Sequence, residues 1–70
     1  MSQLFSSMAG SVYKVLVKPG DRLEPGDEVA ILESMKMEIP ITMESTATVK
    51  ELKVGEGDFV NEGDVILVLE

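Results

Sequence analysis

The chain has 70 residues, with 13 acidic against 6 basic side chains, a formal charge of −7, and no cysteine, histidine or tryptophan. These counts exclude disulfides and thiolate metal sites and remove the commonest general base and metal ligand. They also leave too few clustered cations to grip nucleic acid or an anionic membrane.

A 44% apolar composition rich in Val, Ile and Leu supports a packed fold rather than a disordered chain. The N-terminal Met1-Ser2-Gln3-Leu4-Phe5-Ser6-Ser7-Met8-Ala9-Gly10 has neither the basic region nor the apolar core of a signal peptide. No stretch approaches the roughly 18 apolar residues of a membrane span. A cytoplasmic, reducing setting and a monomer in isolation are expected, with neither nucleic acid nor membrane as partner.

In chain order, Val12–Val17 places apolar residues at Val12, Val15 and Val17. That spacing predicts a strand with a phase slip, such as a bulge, because strict alternation would send one of them to the wrong face. Gly20-Asp21 and Gly26-Asp27 follow as turn signals: glycine supplies positive φ and aspartate bonds its own backbone. Their spacing is not that of a calcium loop, and no glycine run leads into the Lys-Ser/Thr of a phosphate loop. Val29–Leu32 is a short apolar run, too brief for a helix and bounded by turns, as a buried strand should be. Residues 37–44 alternate, with Met37, Ile39, Ile41 and Met43 on one face. This is a half-buried strand, and Pro40 places it at a sheet edge. Val49–Val54 repeats the slipped spacing of Val12–Val17, with a short helix over Val49–Lys53 as the competitor. Gly57-Asp58 and Gly63-Asp64 repeat the turns, and Val65–Leu69 predicts a second buried strand.

The chain is internally duplicated. A shift of 37 residues lays 10–33 over 47–70 without a gap and gives 8 identities in 24 positions, with both Gly-Asp pairs in register. Two such copies imply a pseudo-twofold protein whose halves bury their apolar faces together, so residues 1–70 are expected to form a single domain. Ser34-Met35-Lys36 lies at the seam between copies, and by the pseudo-twofold its counterpart is where the chain begins and ends. Two apolar strands flank the seam, so the chain must turn there. Met35 and Lys36 are poor central residues for a two-residue hairpin, which favours Asn-Gly or other glycine pairs. Such a local violation marks a candidate functional site, although an ordinary solvated turn lysine between core methionines accounts for the residues equally well. An exposed tip lysine is a mediocre catalytic base but a good accessible, modifiable amine. Flexible methionines beside it suit a surface touched by several partners.

Glu33-Ser34-Met35-Lys36-Met37-Glu38 resembles the Glu-Ala-Met-Lys-Met motif of the biotinyl domains of biotin-dependent carboxylases. The resemblance covers nearly the whole chain. Ser7-Met8-Ala9-Gly10 is similar to that family's Met-x-Gly opening of the first long strand, and the four Gly-Asp corners match its turns. Ser34 departs from the common alanine, and Ser7 from the common proline or alanine. Length and motif look most like the small stand-alone biotin/lipoyl attachment proteins of bacilli.

The resemblance implies an all-β fold: a flattened β-barrel, or barrel-sandwich hybrid, of two four-stranded antiparallel sheets with quasi-twofold symmetry and the modified lysine at a hairpin tip. It implies that a biotin protein ligase attaches biotin to Lys36, and that Met35 and Met37 are recognition residues. Glu33 and Ser34 would shape the hairpin. The arm would carry carboxyl groups between biotin carboxylase and carboxyltransferase subunits, making the chain a carrier rather than an enzyme. A lipoyl carrier, modified with lipoate by a lipoyl ligase and moving acyl groups and electrons, or a dual biotin/lipoyl acceptor, is the nearest alternative. Lipoyl domains usually show Asp-Lys-Ala, so Met-Lys-Met favours biotin. An unmodified structural adaptor with the same barrel is a rival of another class.

Overall fold

The computed structural model describes residues 2–70; Met1, with which the expected domain begins, lies outside the described residues. Among them are eight strands and no helix: β1 (Ser2–Phe5), β2 (Gly10–Val15), β3 (Arg22–Leu23), β4 (Glu28–Ser34), β5 (Met37–Thr42), β6 (Ala47–Leu52), β7 (Phe59–Val60) and β8 (Val65–Leu69). They form two four-stranded sheets, ordered β1-β8-β6-β3 and β5-β4-β2-β7, with every pairing antiparallel. This is the flattened barrel-sandwich that the motif resemblance implies, with a radius of gyration of 11.0 Å.

The slipped spacing in the two long strands is resolved by bulges. The β2–β4 register shifts between Val12 and Lys14, and the β6–β8 register between Val49 and Glu51. The extra residue lets Val12 and Val15, and likewise Val49 and Leu52, all turn toward the core. The helix considered for Val49–Lys53 does not form, because Val49, Glu51 and Leu52 of β6 pair there with β8. The apolar runs lie in the sheet interiors, β4 between β5 and β2 and β8 between β1 and β6. Val29, Leu32, Ile66 and Leu67 are accordingly fully buried. Pro40 falls on β5, an edge strand, where its missing N–H costs no ladder bond.

All four Gly-Asp pairs close tight turns. The glycines have φ between 89° and 96°, the conformation that type II turns require at the third residue. In each turn the aspartate carboxylate accepts the backbone N–H three residues earlier: Lys18, Glu24, Gly55 and Asn61, at 2.8–3.0 Å. Hydrogen bonds of one half recur 37 residues later in the other. Ser6 N–H donates to the Asp64 carbonyl as Met43 N–H does to Asp27, and Val12 to Asp58 as Val49 does to Asp21. Each half also lends its two-residue strand to the other half's sheet, β3 to β6 and β7 to β2. Neither sheet is therefore built from one half alone.

Candidate functional site

β4 and β5 form a hairpin whose ladder runs from Glu28 opposite Thr42 to Ser34 opposite Met37. Only Met35 and Lys36 remain between the last pair, with φ of 53° and 64°. Two successive positive φ values are what a type I′ turn needs to match the right-handed twist of its strands. Neither residue is suited to that conformation, in which Cβ crowds the next carbonyl oxygen at about 1–2 kcal/mol per residue. The sequence-level violation is thus a physical one: the turn holds two left-handed residues with full side chains where Asn-Gly would relax it.

The tip stands clear of the core. Met35 is 91% exposed and Met37 60%, Lys36 and Glu33 are exposed, and Ser34 is half-buried. The face predicted for Met37, Ile39, Ile41 and Met43 is half-buried at Ile39 and buried only at Ile41 and Met43. Met37 has the right parity for the core but lies past its end. The Lys36 amine is in no ion pair among the described residues. No cavity or cleft able to enclose a ligand occurs among them, nor any cluster of carboxylates that could hold a metal.

The five candidate residues are thus brought together as one continuous hairpin tip, and the base of that tip is fixed by residues the motif does not contain. Gly10 on β2 passes so close to β4 that an added Cβ would lie 3.0 Å from the Glu33 carbonyl oxygen and 3.5 Å from the Ser34 Cβ. The equivalent position in the other half is Ala47, so the sequence signal was a glycine–alanine difference between the copies. Across the same sheet, Glu38, Glu33, Ser11 and Phe59 are successive cross-strand partners and all are exposed. The row sets two like charges directly opposite each other, a pairing that weakens a sheet, and ends in an aromatic side chain 64% exposed.

The site is thus a lysine displayed on a strained, solvent-facing turn of a two-sheet barrel. The family model described as "Biotin-requiring enzyme", for biotin and lipoyl attachment, matches residues 2–69. The chain is 66% identical over 62 residues to the biotin/lipoyl attachment protein of Bacillus subtilis, covering 89% of this chain and 85% of that one. It is 45% identical over 69 residues to the human mitochondrial propionyl-CoA carboxylase alpha chain, covering 99% of this chain but only 10% of the relative. Among solved structures, Kluyveromyces lactis urea carboxylase superposes with a TM-score of 0.89 at 32% identity, over 99% of this chain and 6% of that one. The chain belongs to the biotin/lipoyl attachment family.

Proposed function

We propose that the chain is a biotin carrier in which Lys36 is the acceptor. The observation that carries this reading is the Met35-Lys36 turn: an exposed amine on a left-handed two-residue tip, at the lysine of the Met-Lys-Met motif. An amine with no cleft beside it fits a covalent tether better than a reversible binding site. In the modification, Lys36 Nζ forms an amide bond to the cofactor's activated carboxyl carbon. The activating group leaves, and the lysine ammonium gives up two of its three protons to the medium, the third remaining as the amide N–H. A biotin protein ligase supplies the activation.

When attached, biotin supplies a ureido nitrogen that takes up and releases a carboxyl group. The chain's own residues then act by presentation. The β4–β5 ladder fixes the Lys36 backbone, and the lysine stem gives reach. Met35 and Met37 offer soft apolar contact to ligase, biotin carboxylase and carboxyltransferase in turn. Glu33 and Ser34 shape the hairpin's base. The module catalyses no step, in keeping with a composition lacking histidine and cysteine. Residues 1–70 serve as one attachment domain. A cytoplasmic setting, where chain and ligase would meet, is part of this proposal.

A lipoyl reading is the second one, favoured by the name of the Bacillus subtilis relative, which covers both cofactors. Co-expression with a biotin protein ligase decides between them. Intact mass should rise by one biotinyl group, with fragmentation placing it on Lys36. A lipoyl increment on protein from its native source would transfer the conclusion to the second reading. Lys36→Ala should lose the adduct and keep its fold, within about 0.5 kcal/mol, because the side chain is exposed. An adduct on another lysine, or a Lys36→Ala chain that unfolds, would refute the assignment.

A further inference from the structure

The hairpin tip displays two thioethers as well as an amine. The methionines of the described residues are sharply graded: Met35 is 91% exposed, Met37 60% and Met43 4%, with Met8 half-buried. Oxidation of a thioether requires an oxidant oxygen to reach the sulfur, so it follows exposure. The chain has no cysteine to compete for oxidant. The conformation sharpens the contrast. Left-handed φ at Met35 and Lys36 places the turn beyond the last cross-strand pair, so Met35 contributes nothing to the packed core. An added oxygen there disturbs no packing, whereas at Met43 it would have to enter the core.

The chemical change is large on the surface that matters. A sulfoxide converts a flexible apolar side chain into a polar, chiral one, here on both sides of Lys36.

We propose that Met35 and Met37 form a reversible oxidation site that governs how readily Lys36 is modified, an inference that rests on the carrier reading. The oxidant is a hydroperoxide. Its terminal oxygen is transferred to the thioether sulfur, forming the S–O bond as the O–O bond breaks. Sulfur loses two electrons, and the peroxide is reduced to water or an alcohol. The return step uses two thiols of a sulfoxide reductase system, which become a disulfide while the oxygen leaves as water. The reduced tip presents the apolar contact that a modifying enzyme uses, and the oxidised tip withholds it.

The test uses the whole folded chain. After graded hydrogen peroxide and quenching, trypsin releases residues 23–36, which carry Met35 alone, and 37–50, which carry Met37 and Met43. Fragmentation resolves the latter pair. Met35 should oxidise first and Met37 next, with Met43 reduced throughout and the thermal melt unchanged. Biotin incorporation by a biotin protein ligase with biotin and ATP should then start at least about threefold slower. The rate should return after treatment with methionine sulfoxide reductases of both stereospecificities. A Met35→Leu/Met37→Leu chain should incorporate biotin at a rate that peroxide does not change. Oxidation of Met43 as fast as Met35, equal rates for oxidised and untreated chains, or peroxide sensitivity in the leucine variant would each overturn the proposal. An untreated chain that accepts no biotin would overturn the carrier reading, and this inference with it.

Discussion

Relaxing the turn should stabilise the fold. Met35 adopts φ 53° with 91% of its side chain exposed. A left-handed backbone costs an ordinary residue about 1–2 kcal/mol, and asparagine visits it far more readily. Met35→Asn should therefore recover about 0.5–1 kcal/mol, with almost no buried area surrendered. Asparagine also avoids the added unfolded-state freedom that offsets the gain from glycine. For a domain of this length, 1 kcal/mol corresponds to about 4–8 °C, so the melting temperature should rise by about 2–8 °C. Far-UV circular dichroism would read the rise, and urea unfolding should show a higher midpoint at unchanged slope. Met35→Val should move the opposite way, since branching at Cβ worsens the same clash. Equal melting temperatures for the two variants, or a fall with asparagine, would refute the strain argument.

Four further outcomes follow from the packing and hydrogen bonding of the fold. Gly10→Ala should destabilise by about 1–3 kcal/mol, because its Cβ would press on the Glu33 carbonyl at 3.0 Å. Gly55→Ala should be near neutral by the same denaturation assay, its nearest neighbour being an aspartate oxygen 3.8 Å away. Asp21 has its carboxyl held below the usual 3.8, chiefly because it accepts the Lys18 backbone N–H and further because of the Lys18 ammonium. A lowered folded value means that its contribution is complete above 3.8 and lost as pH falls through the folded value. Asp21→Asn should thus be less stable than the parent at neutral pH, with the gap closing in the acid limb of a stability–pH profile. Removing residues 65–70 deletes β8 with the buried Ile66, Leu67 and Leu69. Each such loss costs about 2–5 kcal/mol against a total of about 4–10 for this length, so no cooperative transition should remain.

What was legible in the sequence is what local chemistry controls. The slipped apolar spacing at Val12–Val17 and Val49–Val54 forecast bulges because only an extra residue reconciles it with period two. Gly-Asp pairs forecast turns because both residues act within four positions of chain. The hairpin was legible through its violation of turn preference. Less visible were features set by partners distant in sequence. Arg22-Leu23 and Phe59-Val60 look like parts of corners, yet each becomes an edge strand of the other half's sheet. Ser2–Phe5 is short and weakly patterned, and it is a strand because β8 offers it an edge. The role of Gly10 depends on its approach to β4, which no pattern within residues 1–20 could reveal. Met37 shows the limit of periodicity: alternation assigns a face, but only the length of the core decides whether that face is covered.

The duplication explains why the Lys36 amine can stand on strained backbone without loosening the domain. Hydrogen bonds around the four Gly-Asp turns are matched across the halves, and the edge strands are exchanged, so each half completes the other. The tip adds a few residues beyond this closed arrangement. Its counterpart in the other half is the Ser2–Leu69 end of the β1–β8 ladder. Strain at Met35 and Lys36 is therefore opposed by the β4–β5 ladder and by Gly10 packed against its base, rather than by the core. A fixed backbone bearing a long free side chain divides the work. On the proposed carrier reading, the protein side of a docking surface is preorganised, which limits the entropy lost in each encounter, while the lysine stem would keep its freedom until a partner engages it. Loosening the base through Gly10 should then impair acceptance more than shortening or blunting the exposed Phe59 side chain. Comparing incorporation rates for Gly10→Ala and Phe59→Ala, both confirmed folded, would show whether presentation or surface contact dominates.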